Sequence, residues 1–147
     1  MQIGDELDPR TVARMQENFA AQGLMAHLGA EILELRAGLA RLGLPFRPEL
    51  TQQHGYFHAG GTSALADTAG GFAGFTMFPE DAQVLTVEFK LNLINPGQGE
   101  RLEAIGRVIK PGRTLTICQL DVWGVSGETR KHVATGMQTL ICLRPGA

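Results

Sequence analysis

The chain has 147 residues, of which 44% are apolar and 19% charged, a balance typical of one folded domain, here residues 1–147. A formal net charge of −2 argues against nucleic acid as a partner, and no apolar run reaches the roughly 18 residues of a transmembrane helix. Cys118 and Cys142 stand far apart, and the first ten residues lack the apolar core of a signal peptide, so we expect a reduced, cytoplasmic protein. Nineteen glycines predict close backbone approaches or tight turns.

The first predicted element is a short N-terminal helix within residues 1–25. Asp8 can cap this helix, Pro9 suits its first position, and Gly23 is a plausible stop. Residues 28–44 then alternate between apolar and polar side chains on both sides of Arg36-Ala37-Gly38. This pattern predicts two strands joined by a turn.

A glycine- and alanine-rich segment follows and predicts a central helix over about residues 58–78. Its five glycines disfavour a helix, but the residues around them are small or apolar on every side, which is typical of a buried helix. Pro79 ends the segment. Asp67 is the one charged residue inside it.

The remaining chain predicts four strands. Residues 85–94 alternate strictly and predict a half-buried strand, and residues 102–109, 114–123 and 132–143 follow it. We expect these four strands to form an antiparallel meander, with a type II turn at Lys110-Pro111-Gly112-Arg113. The predicted fold class is α+β, with an antiparallel sheet of about six strands wrapped around the central helix. The open sheet edges favour a dimer.

Asp67 is the strongest candidate for chemistry, because a carboxylate is rarely buried unless it is paired or used. It could act as a general base or nucleophile, or it could lie at the helix surface and pair with an arginine. His58-Ala59-Gly60 precedes the helix, where free backbone N–H groups can bind an oxyanion. His54 and His58 have a spacing known from metal sites, but no third ligand is evident and we predict no metal.

Several motifs together resemble those of the hotdog-fold thioesterases of the phenylacetic-acid-degradation (PaaI-like) type. The resemblance covers about residues 52–143. The motifs are Gln52 with His58-Ala59-Gly60, Leu65-Ala66-Asp67-Thr68-Ala69-Gly70, Leu85-Thr86-Val87-Glu88-Phe89-Lys90 with Asn92, Gly106-Arg107-Val108 with Lys110, Gly112-Arg113-Thr114-Leu115, and Ala134-Thr135-Gly136.

The resemblance implies a central helix wrapped by an antiparallel sheet, with chains paired as dimers or dimers of dimers and active sites at the dimer interface. Asp67 falls on the catalytic carboxylate, and Ala59 falls on the residue whose backbone N–H polarises the thioester carbonyl. Gln52 falls on a residue that positions that carbonyl, and Thr86 lies near a Ser or Thr that orients water in some members. The family usually reads His-Gly-Gly, whereas this chain reads His58-Ala59-Gly60-Gly61.

These residues predict an acyl-CoA thioesterase that needs no metal or organic cofactor. His58, Gly60 and Gly61 complete the expected site at the helix N-terminus. Cations near the site would hold the phosphates of CoA, and the candidates are Lys90, Lys110 and Arg113. Two alternatives stay open at this stage, a hydratase or dehydratase of the same fold that uses His58 with Asp67, and a non-catalytic acyl-CoA-binding module.

Overall fold

The computed structural model describes residues 1–146 and shows one six-stranded antiparallel sheet wrapped around a central helix. The predicted fold class is confirmed. In chain order the elements are α1 (Pro9–Ala20), α2 (Gly23–Leu28), β1 (Glu31–Arg36), β2 (Leu39–Pro45), a 3-10 turn (Pro48–Leu50), α3 (Ala59–Phe75), β3 (Gln83–Leu93), β4 (Arg101–Lys110), β5 (Leu115–Ser126) and β6 (Thr129–Leu143).

The N-terminal segment contains two helices rather than the one predicted within residues 1–25. Asp8 caps α1 as expected, accepting the Thr11 N–H at 2.9 Å, and this hydrogen bond lowers the pKa of the Asp8 carboxyl. Gly23 starts α2 instead of stopping a longer helix. The break between the helices allows Met15 of α1 and Met25 of α2 both to be buried in the core.

Helix α3 packs so closely on the sheet that glycines are required on both sides of the contact. A Cβ on Gly106 of β4 would lie 2.4 Å from the backbone of Ala69 and Gly70 in α3. A Cβ on Gly70 would lie 1.8 Å from Oε1 of Gln138 in β6. The glycine content therefore reflects a close helix–sheet approach. Among residues 1–146 no helix is both long and apolar enough to cross a membrane.

Helix α3 ends at Phe75, three residues before the predicted boundary of 78. The guanidinium of Arg14 in α1 donates to the carbonyls of Phe75, Phe78 and Pro79 at 3.1–3.4 Å. The carbonyls of Phe75 and Pro79 also accept the N–H groups of Phe78 and Ala82, three residues further on, at 3.1 and 3.0 Å. Arg14 therefore joins α1 to the C-terminal end of α3.

The strand order is β1-β2-β4-β5-β6-β3, so the predicted four-strand meander is wrong. Strands β4, β5 and β6 form a meander, but β3 pairs with β6 at the far edge of the sheet. Residues 94–100 form a crossover rather than a tight turn. The N–H of Ile94 bonds to the Val133 carbonyl, and the N–H of Glu100 bonds to the Val125 carbonyl. These bonds carry the chain past the ends of β6 and β5.

Strand β3 was expected to be half-buried, but most of its large apolar side chains are exposed. The exposed fractions are 58% for Leu85, 57% for Val87, 41% for Phe89 and 54% for Leu93. Strand β3 is an edge strand, and α3 lies mainly over β4, β2 and β5. A bulge between Thr86 and Glu88 also interrupts its alternation.

The loop from β4 to β5 is not the predicted type II turn. That turn requires a positive φ at its third residue, and Gly112 is not among the glycines with positive φ. Glycine is required here for a different reason, because a Cβ on Gly112 would lie 2.0 Å from the Leu115 carbonyl oxygen.

Candidate active site

Asp67 lies in the middle of α3, half-buried, with one carboxylate oxygen held by two side chains. Oδ1 accepts the Thr86 hydroxyl at 2.7 Å and the Gln138 amide Nε2 at 2.7 Å. Within the described chain, no hydrogen bond is found to Oδ2. The carboxylate therefore has one fixed oxygen and one free to react.

A cavity of about 440 Å³ opens beside Asp67. One wall is apolar, from Phe72 and Phe75 of α3 and from Val84 and Leu85 of β3. The other side carries carboxamide groups, from Asn18 of α1, Gln22 at the start of α2 and Gln83 at the start of β3. The lining is therefore mixed, and a group with both apolar and polar portions would fit it.

The N-terminus of α3 presents one free backbone donor. His58 caps the helix, and its Nδ1 accepts the Gly60 N–H at 2.7 Å, so the neutral ring carries its proton on Nε2. The N–H groups of Gly61 and Thr62 both bond to the His58 carbonyl. In the part of the chain that the structure describes, the Ala59 N–H has no partner.

Alanine at position 59 causes no backbone strain. Ala59 is the first helical residue, and among residues 1–146 no non-glycine residue has a positive φ. The departure from His-Gly-Gly therefore leaves the N–H available in an ordinary helical geometry. The Gly60 N–H is already bonded, so among the described backbone N–H groups at the start of α3 that of Ala59 is the one left to bind a carbonyl.

A second cavity of about 540 Å³ lies at this end of α3 and is lined by Gln52, His58 and Ala59 among others. The Gln52 Oε1 accepts the N–H groups of His54 and Tyr56 at 2.6 and 3.3 Å. With Oε1 engaged, the NH₂ group of Gln52 has no hydrogen-bond partner within residues 1–146 and is left as a donor. Gln53 is exposed and does not line this cavity.

The two cavities are separate in one chain. Asp67 follows Ala59 by eight positions, which corresponds to about 12 Å along the helix axis. One carbonyl group cannot contact both at that separation. His58 and Asp67 are farther apart still and share no cavity. Gly60 and Gly61 line neither cavity, and Gly61 faces Leu44 of β2.

Two of the predicted cations, Lys110 and Arg113, are exposed at the end of the sheet where β3 starts, but neither lines the Asp67 cavity. Lys110 is the last residue of β4, and Arg113 lies in the β4–β5 loop. Strand β6 separates this loop from β3, because the Thr114 carbonyl bonds to the Cys142 N–H of β6 and Leu143 pairs with Gln83. Arg144 adds a cation there, donating to the Arg113 carbonyl at 3.3 Å.

Lys90 lies on the face of the sheet that points away from α3. It pairs with Met137, whereas its neighbour Phe89 pairs with Gln138, whose side chain reaches Asp67 in α3. Successive side chains of a strand point to opposite faces, so the sheet separates Lys90 from Asp67.

Gln138 was not among the predicted site residues. It is 1% exposed, and its Nε2 contacts three oxygens, the carboxylate and the backbone carbonyl of Asp67 and the hydroxyl of Thr86. The signal was present in the pattern of β6, where Gln138 is a polar residue on the inward face between Gly136 and Leu140. A buried amide in such a position needs a partner.

Two other possible chemistries find no support in the residues that the structure describes. Within residues 1–146 no group of three or more His, Cys, Asp and Glu side chains is placed to hold a metal. Cys118 and Cys142 are free thiols in the core. Burial raises the pKa of the Cys118 thiol to about 12, so it stays protonated and is a poor nucleophile at neutral pH.

Comparison with known proteins identifies the family. The thioesterase superfamily matches residues 54–131, more than half of the chain, and the protein belongs to this superfamily. This match confirms the resemblance to thioesterases found in the sequence motifs. It also confirms the predicted enzyme class, a thioester hydrolase.

Individual relatives agree with this assignment. A thioesterase family protein from Silicibacter pomeroyi is 42% identical, with a TM-score of 0.89 over 91% of this chain and 98% of that one. The proofreading thioesterase EntH of Klebsiella pneumoniae is 29% identical over 71% of this chain and 77% of its own. The E. coli PaaI protein shares the fold, with a TM-score of 0.82 at 18% identity over 97% of this chain and 98% of that chain.

Proposed function

We propose that the protein hydrolyses acyl-CoA thioesters and that Asp67 is its catalytic carboxylate. The observation that carries this proposal is the geometry of Asp67, whose Oδ1 is fixed by Thr86 and Gln138 while Oδ2 is free beside a cavity. A preorganised carboxylate next to a cavity with apolar and polar walls suits a general base or a nucleophile.

The proposed reaction uses Ala59 and Gln52 to polarise the thioester carbonyl. The Ala59 N–H and the Gln52 NH₂ donate to the carbonyl oxygen, and the positive end of the α3 dipole stabilises its developing charge. A water attacks the carbonyl carbon and gives a proton to Asp67, and the C–S bond then breaks to release the acid and the CoA thiolate. Alternatively, Asp67 attacks first, and water cleaves the resulting anhydride.

The reaction requires two chains, because Ala59 and Asp67 of one chain are too far apart to act on the same carbonyl. Strand β3 supports pairing of two copies. It is an edge strand of 11 residues with unpaired backbone groups and exposed apolar side chains. We propose a symmetric dimer in which Ala59 of one chain faces Asp67 of the other, with two such dimers forming a tetramer.

Cations at the β4–β5 loop are proposed to hold the phosphates of CoA. Lys110 and Arg113 are exposed at the end of the sheet where β3 starts, one strand away from β3, whose first residues line the Asp67 cavity. Lys90 is left out of this role because it lies on the opposite face of the sheet. A location in the cytoplasm, where acyl-CoA is available, fits this substrate.

The test is release of free thiol from a panel of acyl-CoAs by the wild-type and Asp67→Asn proteins. We expect Asp67→Asn to lower kcat by 10²–10⁴-fold, roughly the contribution of a general base. Asp81→Asn, an exposed aspartate outside both cavities, is the matched control and should keep full activity. Thiol release that survives in Asp67→Asn at more than about a tenth of wild type would exclude the proposed role.

The same assay separates the alternatives. A hydratase or dehydratase would change the acyl chain without releasing thiol, and a binding module would retain acyl-CoA unchanged. Single-turnover hydrolysis in H₂¹⁸O tests the nucleophilic route: if water opens the anhydride at Cγ of Asp67, the product acid carries an unlabelled oxygen from Asp67 and the ¹⁸O stays on the carboxylate, whereas direct attack of water on the thioester labels the product.

A further inference from the structure

We infer that Gln138 is a positioning residue that acts through Asp67, fixing its Oδ1 so that Oδ2 is the oxygen that reacts. This inference rests on the proposed function and assigns a role to a residue outside the predicted site. Gln138 does not itself reach either cavity. Its effect on catalysis must therefore pass through the carboxylate.

The hydrogen bonds of the amide determine its orientation. Nε2 of Gln138 lies 2.7 Å from Asp67 Oδ1, 2.9 Å from the Asp67 carbonyl oxygen and 3.3 Å from Thr86 Oγ1. An amide rotated by 180° would place its own oxygen against two acceptor oxygens of Asp67. The NH₂ group is therefore the end that faces Asp67. Its two hydrogens are best placed for the two shorter contacts.

This arrangement leaves the other end of the amide unsatisfied. Gln138 Oε1 is buried and has no hydrogen-bond partner within residues 1–146. A buried acceptor without a partner is destabilising, and an apolar side chain of the same shape would avoid that cost. Helix α3 also leaves room for the amide by having Gly70 opposite it, since a Cβ there would lie 1.8 Å from Oε1. A purely structural role does not explain an amide at this position.

Holding Oδ1 explains what the amide contributes. With donors from both Gln138 and Thr86 on Oδ1, rotation of the carboxylate about its Cβ–Cγ bond breaks two hydrogen bonds. Oδ2 then keeps one direction relative to the cavity. Catalytic groups lose rate steeply when they are misoriented by small distances. We therefore expect removal of the amide to affect the chemical step more than substrate binding.

The experiment compares Gln138→Met and Gln138→Leu with wild type, using steady-state thiol release and thermal unfolding. We expect kcat to fall by about 10- to 100-fold, the range for loss of a hydrogen bond to a charged group, with KM changed by less than about threefold. The melting temperature should change little, because removal of the unsatisfied buried acceptor offsets loss of the Nε2 hydrogen bonds to Asp67. Using two apolar variants guards against poor folding of either one.

Gln119→Met is the matched control, because Gln119 lies on the neighbouring strand but is exposed on the opposite face of the sheet. It should keep wild-type kcat. A fall in kcat that tracks a fall in melting temperature, or a rise in KM alone, would overturn the positioning role. So would wild-type kcat in either folded Gln138 variant. The proposed function fails separately, through retained activity in Asp67→Asn, so the two failures are distinguishable.

Discussion

Two inactive variants should restore activity when their chains are mixed, because each active site is proposed to take Ala59 from one chain and Asp67 from the other. Asp67→Asn removes the carboxylate. Ala59→Pro removes the free N–H of residue 59 and no hydrogen bond that the structure describes. Proline suits the first helical position, and His58 already has the extended backbone, with φ −64° and ψ 137°, that precedes a proline.

The expected magnitudes follow from the geometry. Each variant alone should lose about 10²-fold or more in kcat, as for loss of a base or of one oxyanion donor. Random pairing of equal amounts makes about half of the dimers mixed, and each mixed dimer contains one intact site. The unfractionated mixture should therefore recover about a quarter of wild-type specific activity, and mixed dimers purified away from the others about half. A site within one chain would recover none, because no mixed dimer would then hold both groups in the same chain.

The assay is thiol release after co-expression of the two chains with different tags and purification through both. Each variant purified with itself is the control, and light scattering reports the assembly. A mixed species that is dimeric but no more active than either variant would refute the two-chain site. High activity of Ala59→Pro alone would refute the role of its N–H.

Gln52→Ala should lower kcat/KM by roughly 5- to 150-fold, because one hydrogen bond to the thioester carbonyl is lost. Gln53→Ala should keep wild-type kcat/KM. If parallel assays give the reverse result, Gln53 and not Gln52 is the residue that contacts the carbonyl. Gly106→Ala should lower the free energy of unfolding by at least about 2 kcal/mol, since its Cβ would meet the α3 backbone at 2.4 Å. A Cβ on Gly71 would meet nothing within 4 Å, so Gly71→Ala should raise the free energy of unfolding by about 0.5–1 kcal/mol. Urea unfolding of the two glycine variants measures both changes. Burial raises the pKa of Glu103, but hydrogen bonds from three arginine side chains outweigh it and hold the pKa below 4.5. The unfolded state then binds the proton first, so this stabilisation is present above the unfolded pKa and is lost as pH falls through the lower folded pKa. The stability difference between wild type and Glu103→Gln in urea unfolding should therefore shrink as pH decreases from 6 towards 3 (about the range of carboxyl titration), and a constant difference would contradict it.

Local structure was predictable from the sequence, because its causes are local. The cap at Asp8, the turn at Ala37-Gly38 and most strand boundaries depend on residues within a few positions of one another. The buried helix was predictable for a related reason. Its apolar surroundings and the isolated charge of Asp67 are visible in one segment of about twenty residues.

The place of β3 was decided only by the tertiary structure. Its alternation is as regular as that of a half-buried strand, and period two does not distinguish a strand covered by a helix from one at an edge. The choice of β6 rather than β4 as its neighbour depends on the crossover at residues 94–100. That choice in turn leaves the apolar side chains of β3 exposed.

Some residues of the candidate site were predictable from the sequence, and others were not. Asp67, Ala59 and Gln52 could be named from the sequence, since their residue types and motif spacing carry the signal. Two contacts could not be predicted from the sequence. Gln138 donates to Asp67, and His58 accepts the Gly60 N–H. A side chain 71 residues away reaches Asp67 because of strand register and a glycine opposite it. Such partners are set by packing between distant segments, and no local pattern encodes them.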